Sequence, residues 1–165
     1  MKNLNFKSRR LGGDEMDIDS YEINKDTCAI LSLNNEVSQI IERDQEYLLP
    51  KTTFEVMEDS CAYYGSSFEG RIKGTKMILG CNYKLPIIIE ESNDIIFFPT
   101  SGATSEKCSW ISLNHVEKYE PYKGYTKVTF IEGKSIILKM SISSFEMQLL
   151  RAMRLQNLIK KRLES

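Results

Sequence analysis

Residues 126–165 read TKVTFIEGKSIILKMSISSFEMQLLRAMRLQNLIKKRLES, and this stretch decides the fold class. Two short apolar runs, residues 126–131 and 134–140, surround Glu132-Gly133. In the first, Val128 and Phe130 alternate with polar neighbours, the period of a strand that buries one face. Two such runs around a turn pair predict a β-hairpin. Then the period changes. At about 100° per residue, Phe145, Leu149, Ala152, Met153, Ile159 and Leu163 fall in one sector, which predicts an amphipathic helix. Ser143, with Glu146 three residues on, reads as a capping box and sets the helix start near Ser143-Ser144. A hairpin running into such a helix predicts an α+β domain: an antiparallel sheet or partial barrel with the C-terminal helix packed on it.

Upstream, short β-like runs occupy residues 76–81, 87–90, 95–98, 110–113 and 116–119. Turn formers separate them: Asn82, Pro86, Asn93-Asp94 and the stretch 100–105. Residues 21–33 (YEINKDTCAILSL) place two apolar runs around Asn24-Lys25-Asp26 and predict another hairpin. Residues 36–46 (EVSQIIERDQE) place Val37, Ile40 and Ile41 at helical spacing and predict a short helix. Residues 53–64 are ambiguous in pattern, although Phe54, Met57 and Cys61 fit a helix at steps of three and four. Residues 65–74 (GSSFEGRIKG) are glycine-rich and predict a loop or a set of tight turns. Residues 1–15 read as a mobile N-terminal tail or a start extension, with Met16 a second candidate initiator. Residues 16–165 then form a single domain, long enough to bury roughly two-thirds of its unfolded surface.

The formal charge of −1 hides a strong segregation. Residues 14–46 carry ten acidic and two basic side chains, a net of −8. Residues 60–84 carry a net of +3 and residues 134–165 a net of +5. Such a chain can present a positive face while its total is near zero. Arg71 and Lys73 sit among glycines, where backbone can approach a phosphate closely, and Lys76 follows them. Arg151, Arg154, Lys161 and Arg162 form a stripe on the C-terminal helix, opposite its apolar sector. Arginine suits phosphate forks and narrow, negative minor grooves. Leu150, Leu155 and Leu158 lie outside the main apolar stripe; they are partly exposed or meet a second subunit, and are the candidate dimer contacts.

Catalytic patterns are weak. His115 is the single histidine, and Cys28, Cys61, Cys81 and Cys108 are separated by 33, 20 and 27 residues. No C-x-x-C pair sets up a zinc site, and no spacing brings a thiol to the imidazole. Residues 65–72 imitate a phosphate loop, but Gly70-Arg71-Ile72 stands where Gly-Lys-Ser/Thr is needed. No catalytic, metal or cofactor residue is therefore assigned. The absence of a signal peptide or an 18-residue apolar run predicts a cytoplasmic protein with reduced thiols, not a membrane protein.

Ordered segments carry a family resemblance. They are Asp59-Ser60-Cys61-Ala62-Tyr63-Tyr64-Gly65-Ser66-Ser67-Phe68-Glu69-Gly70-Arg71, followed by Lys73-Gly74-Thr75; then Phe97-Phe98-Pro99-Thr100, Cys108-Ser109-Trp110-Ile111-Ser112, His115-Val116, Val128-Thr129-Phe130 and Ser144-Phe145-Glu146-Met147-Gln148. Earlier echoes are Ser20-Tyr21-Glu22-Ile23-Asn24 and Ile40-Ile41-Glu42-Arg43-Asp44. Over roughly residues 20–155 the set resembles the ComK family of competence transcription factors. The resemblance implies a non-enzymatic activator of DNA-uptake genes. It also implies recognition of paired A-run and T-run boxes through the minor groove, by dimers that pair on the promoter. Longer members carry a C-terminal extension linked to adaptor-mediated proteolysis. A proteolytic adaptor is thus a further partner, one that the end of this chain at Ser165 leaves open. No family motif carries DNA contacts across residue by residue, so the DNA-contact candidates rest on charge. Two other readings compete: an interaction module without DNA affinity, using the acidic segment 14–46 against a basic partner, and a small cysteine hydrolase using His115.

Overall fold

Strand alternation builds the core of this molecule. The computed structural model describes residues 10–11 and 15–165. Of the tail proposed over 1–15, residues 1–9 and 12–14 lie outside the described residues. The first strands are β1 (Arg10–Leu11), β2 (Glu15–Asp17), β3 (Thr27–Ser32), β4 (Ser38–Glu42) and β5 (Glu46–Leu49). Two helices follow, α1 (Thr53–Tyr63) and α2 (Phe68–Leu79). Next come β6 (Ile87–Glu90), β7 (Ile95–Pro99), β8 (Trp110–Ser112), β9 (Val116–Tyr122), β10 (Tyr125–Phe130) and β11 (Ser135–Leu138). Helix α3 (Ile142–Glu164) ends the chain. The strands form an eight-stranded sheet, ordered β1-β2-β5-β4-β3-β8-β7-β6, and a three-stranded sheet, ordered β11-β10-β9. Neither closes into a barrel, and β2–β5 is parallel within otherwise antiparallel pairings.

The large sheet is covered on both sides. Ile30, Ile40, Ile87, Phe97 and Trp110 point to one face, where Val56, Met57 and Cys61 of α1 meet them. Their neighbours Ala29, Ile41, Ile88, Phe98 and Ile111 point to the other. There they meet Val128 and Phe130 of the small sheet and Phe145, Leu149, Ala152 and Leu155 of α3. Strands buried on both faces read as unbroken apolar text, as Ile87-Ile88-Ile89 does. The expected α+β class with α3 packed on sheet is what forms.

Five local expectations are corrected. Residues 36–46 are not a helix: adjacent Ile40 and Ile41 are buried on opposite faces of β4. A doubly covered strand needs apolar side chains at consecutive positions, which imitates helical spacing. The hairpin expected around Asn24-Lys25-Asp26 is a turn with one strand only, since residues 21–24 are held by side chains. Ser60 Oγ accepts from Ile23 N–H at 3.0 Å, and Tyr64 O–H donates to the Ile23 carbonyl at 2.8 Å. The partners of β3 are β4 and β8.

Residues 65–74 are not a loop throughout, and residues 76–81 are not a strand, because α2 runs through both. Ser67 Oγ accepts from Gly70 N–H at 3.0 Å and starts that helix; Gly80, at φ +69°, ends it. Burial of Thr75 and Leu79 outweighs a cost of about 1 kcal/mol for each of Gly70 and Gly74. Finally, α3 is capped by Ser141, whose Oγ accepts from Ser144 N–H at 3.2 Å, not by a Ser143–Glu146 box.

Candidate nucleic-acid interface

The cationic residues singled out in sequence stand on two helices in contact, α2 and α3. Leu79 of α2 enters the core that α3 covers, with Ile78 packed against it. This leaves Lys73 and Lys76 on the solvent side of α2. Lys73 Nζ lies 3.8 Å from Glu69 one turn earlier, a fully solvated pair of little energetic weight. On α3, Arg154 and Lys161 are exposed seven residues apart, two turns along one stripe, with Arg162 beside them. Among the described residues, none of these three is held in an ion pair.

Two of the proposed contacts are engaged elsewhere. Arg71 Nη1 lies 2.6 Å from the Glu91 carboxylate, and its Nε is buried. Its guanidinium ties α2 to the turn between β6 and β7. Arg151 Nη1 donates to the carbonyls of Tyr83 at 2.8 Å and Lys84 at 3.3 Å, and to Gln148 Oε1 at 3.1 Å. It anchors the segment that links α2 to β6. Both arginines build the platform that carries the exposed lysines.

The leucines divide in the same way. Leu150 is 55% exposed, but Leu155 is fully buried and Leu158 packs against the core. Leu155 is therefore a core residue and not a dimer contact: the sector that α3 buries is rotated toward Gln148 and Leu155, and Met153 and Leu163 of the expected apolar stripe are exposed. Met147 and Met153, at 61% and 44% exposure, accompany Leu150 on the solvent face.

The groups a hydrolase would need are placed against that chemistry. Burial pushes the Cys28 thiol up to about 12 and Cys61 up to about 11, and raises Cys108 as well. Such thiols stay protonated near neutral pH and are poor nucleophiles. Burial lowers the His115 imidazole, whose Nδ1 lies 2.8 Å from Ser112 Oγ. Among the described residues no cluster of three histidines, cysteines or carboxylates is arranged to hold a metal ion. No helix among them is long and apolar enough to cross a membrane.

A further cationic group lies outside the two basic segments: Lys118, Lys123 and Lys127 of the β9–β10 hairpin. Their signal is the alternation that identified Val128 and Phe130 as buried, since it sends Lys127 to the opposite side.

The ComK protein family model matches residues 18–164. The competence transcription factor of Bacillus subtilis (strain 168) is 34% identical over 151 residues, covering 89% of this chain and 79% of that protein. No solved structure matches the chain. A match over nearly all the described residues, both helices of the candidate interface included, assigns the chain to the ComK protein family.

Proposed function

We propose that the protein is a DNA-binding transcriptional activator of competence genes. The observation that carries this reading is membership of the ComK family, with a relative named as a competence transcription factor. The exposed cations of α2 and α3 support it. Lys73, Lys76, Arg154, Lys161 and Arg162 contact phosphates, while Arg71 and Arg151 hold the two helices in place. The target is A/T-rich duplex with paired boxes read through the minor groove, as the resemblance implies. A-runs narrow that groove and concentrate negative potential, which draws lysine and arginine. Two-fold boxes suit a symmetric dimer. Its contact is the exposed stripe of Met147, Leu150 and Met153. The protein acts in the cytoplasm, beside the chromosome, and no catalytic step is assigned to it.

The test is binding to two fluorescent duplexes of equal length across a salt series. One carries two A-run/T-run boxes; the other is G/C-rich. Preferential, salt-sensitive binding to the first, with an even number of chains per duplex, is expected. Lys73→Gln with Lys76→Gln, and separately Arg154→Gln with Lys161→Gln, should each lower the log–log salt slope by about 2. No binding by the wild type at low salt removes the DNA reading and leaves the interaction module.

A further inference from the structure

The small sheet has one face in the core and one in water. Val128, fully buried, stands opposite Tyr119, whose ring meets Phe145 of α3 at 5.1 Å. Thr126, Val128 and Phe130 therefore define the inner face. The alternate positions define the outer one. There Lys118 stands opposite Thr129, Glu120 opposite Lys127, and Tyr122 opposite Tyr125. Ile137 of β11 continues the row beside Lys127. The hairpin closes on Lys123-Gly124, at φ +48° and +83°, the two-residue turn that leaves strands closely paired to their tip. Lys123 Nζ lies 5.5 Å from the centre of the Tyr122 ring.

This outer face is composed for a polyanion. Tyr122 and Tyr125 are 42% and 44% exposed, side by side at the tip. Lys118, Lys123 and Lys127 surround them, and Lys139 is exposed just past β11. Glu120 is the carboxylate of the face, with Glu117 at the register shift of β9. Among the described residues none of the four lysines is held in an ion pair. Sheet extension by a second copy is opposed on two counts. Pro121 interrupts the hydrogen-bonding edge of β9, and two copies would bring like-charged lysines together.

We infer that the outer face of β9–β10–β11 is a second DNA-contact surface, separate from that of α2 and α3. Lys118, Lys127 and Lys139 meet phosphates on either side of a groove, and the tip formed by Tyr122, Lys123 and Tyr125 enters it. A two-stranded ribbon is slim enough to lie in a groove. Because α3 packs on the inner face, the sheet contacts DNA without displacing the helix. The inference rests on the chain binding DNA at all.

The experiment compares three variants with wild type on the A/T-rich and G/C-rich duplexes across a salt series. They are Lys118→Gln/Lys123→Gln/Lys127→Gln, Tyr122→Thr/Tyr125→Thr, and the helix variant Lys73→Gln/Lys76→Gln. The substituted side chains are exposed, Lys127 partly so, and circular dichroism with thermal melting checks that each variant folds. The lysine triple should lower the log–log salt slope by two to three and weaken binding at least about tenfold. The tyrosine pair should weaken binding with the slope unchanged and reduce the preference for A/T-rich duplex. Wild-type behaviour of both sheet variants, with the helix variant impaired, overturns the inference and leaves DNA binding standing. A changed sedimentation coefficient in the lysine triple, with an unchanged DNA slope, also overturns it and makes the face a contact between copies. Failure of the wild type to bind either duplex removes both readings together.

Discussion

Gln148 is the polar residue that α3 buries, and its amide explains why. Nε2 donates to the Lys84 and Pro99 carbonyls, both at 2.9 Å, while Oε1 accepts from Arg151. One side chain thus joins the segment before β6 to the end of β7, where β7 pairs with β8 but no longer with β6. Gln148→Leu preserves volume but leaves the buried Pro99 carbonyl without its donor. A loss of about 1–3 kcal/mol is expected, because an orphaned buried acceptor costs its full desolvation. In a thermal melt this corresponds to a drop of roughly 2–10 °C for a domain of this size. An unchanged melting temperature would mean that water replaces the amide. Glu90 works at the surface through the same chemistry. Its carboxylate accepts from the Ser92 side chain and backbone and from Asn93 N–H at 2.9 Å, which holds it down to about 2. Its folded value is thus below its ordinary one near 4.5. The stabilisation is complete above that ordinary value and is lost as pH falls from it through about 2. Urea titrations at descending pH should show a flatter acid limb for Glu90→Gln, with the difference kept small by solvent screening.

At the scale of elements, α2 has the most to say about local rules and their limits. Gly70 and Gly74 make residues 65–74 look like a loop, yet both lie inside a helix held by the Ser67 cap and the burial of Thr75 and Leu79. A Cβ at Gly74 would meet nothing within 4 Å, and its φ is not in the left-handed region. Gly74→Ala should therefore stabilise the protein by about 0.5–1 kcal/mol, chiefly by restricting the unfolded chain. Destabilisation on chemical denaturation would show that α2 frays at its centre. The C-terminal hairpin is legible because it buries one face and keeps a clean period; α3 is legible as a helix, but its buried sector is rotated from the apolar stripe toward Gln148 and Leu155. β4 is not legible, because Ile40 and Ile41 serve opposite cores, a pattern that local spacing cannot tell from a helix turn. The α2 lysines were found as charges but placed on the wrong scaffold. Charge alone marks Arg71 and Arg151 as candidate DNA contacts, because it does not reveal that Glu91 and the Tyr83 carbonyl hold them. Net charge by segment does not reveal the outer face of β9–β10, although its alternation is as regular as that of the buried face.

At the scale of the whole molecule, charge segregation in sequence becomes segregation in space. The acidic segment builds β2, β3, β4 and the start of β5, contiguous strands in the half of the large sheet away from β6. The cations stand on α2, α3 and the small sheet. A protein of net charge −1 can then be steered onto DNA in one orientation, attracted at its basic elements and repelled at its acidic end. Asp19, Glu36 and Asp44 are exposed at that end and, among the described residues, have no ion-pair partner. Replacing them by Asn, Gln and Asn raises the net charge by three without touching the proposed contacts. If these carboxylates act only through the long-range field, stopped-flow association with the A/T-rich duplex should quicken by up to about tenfold at low salt. The gain should vanish at high salt, where the screening length falls to about 3 Å. Dissociation should keep its wild-type rate, because no bond to DNA has changed. A slower or faster dissociation would place the acidic end in the complex. Unchanged kinetics at every salt concentration would favour the reading in which this segment receives a basic protein partner, since its charge would then have no bearing on DNA.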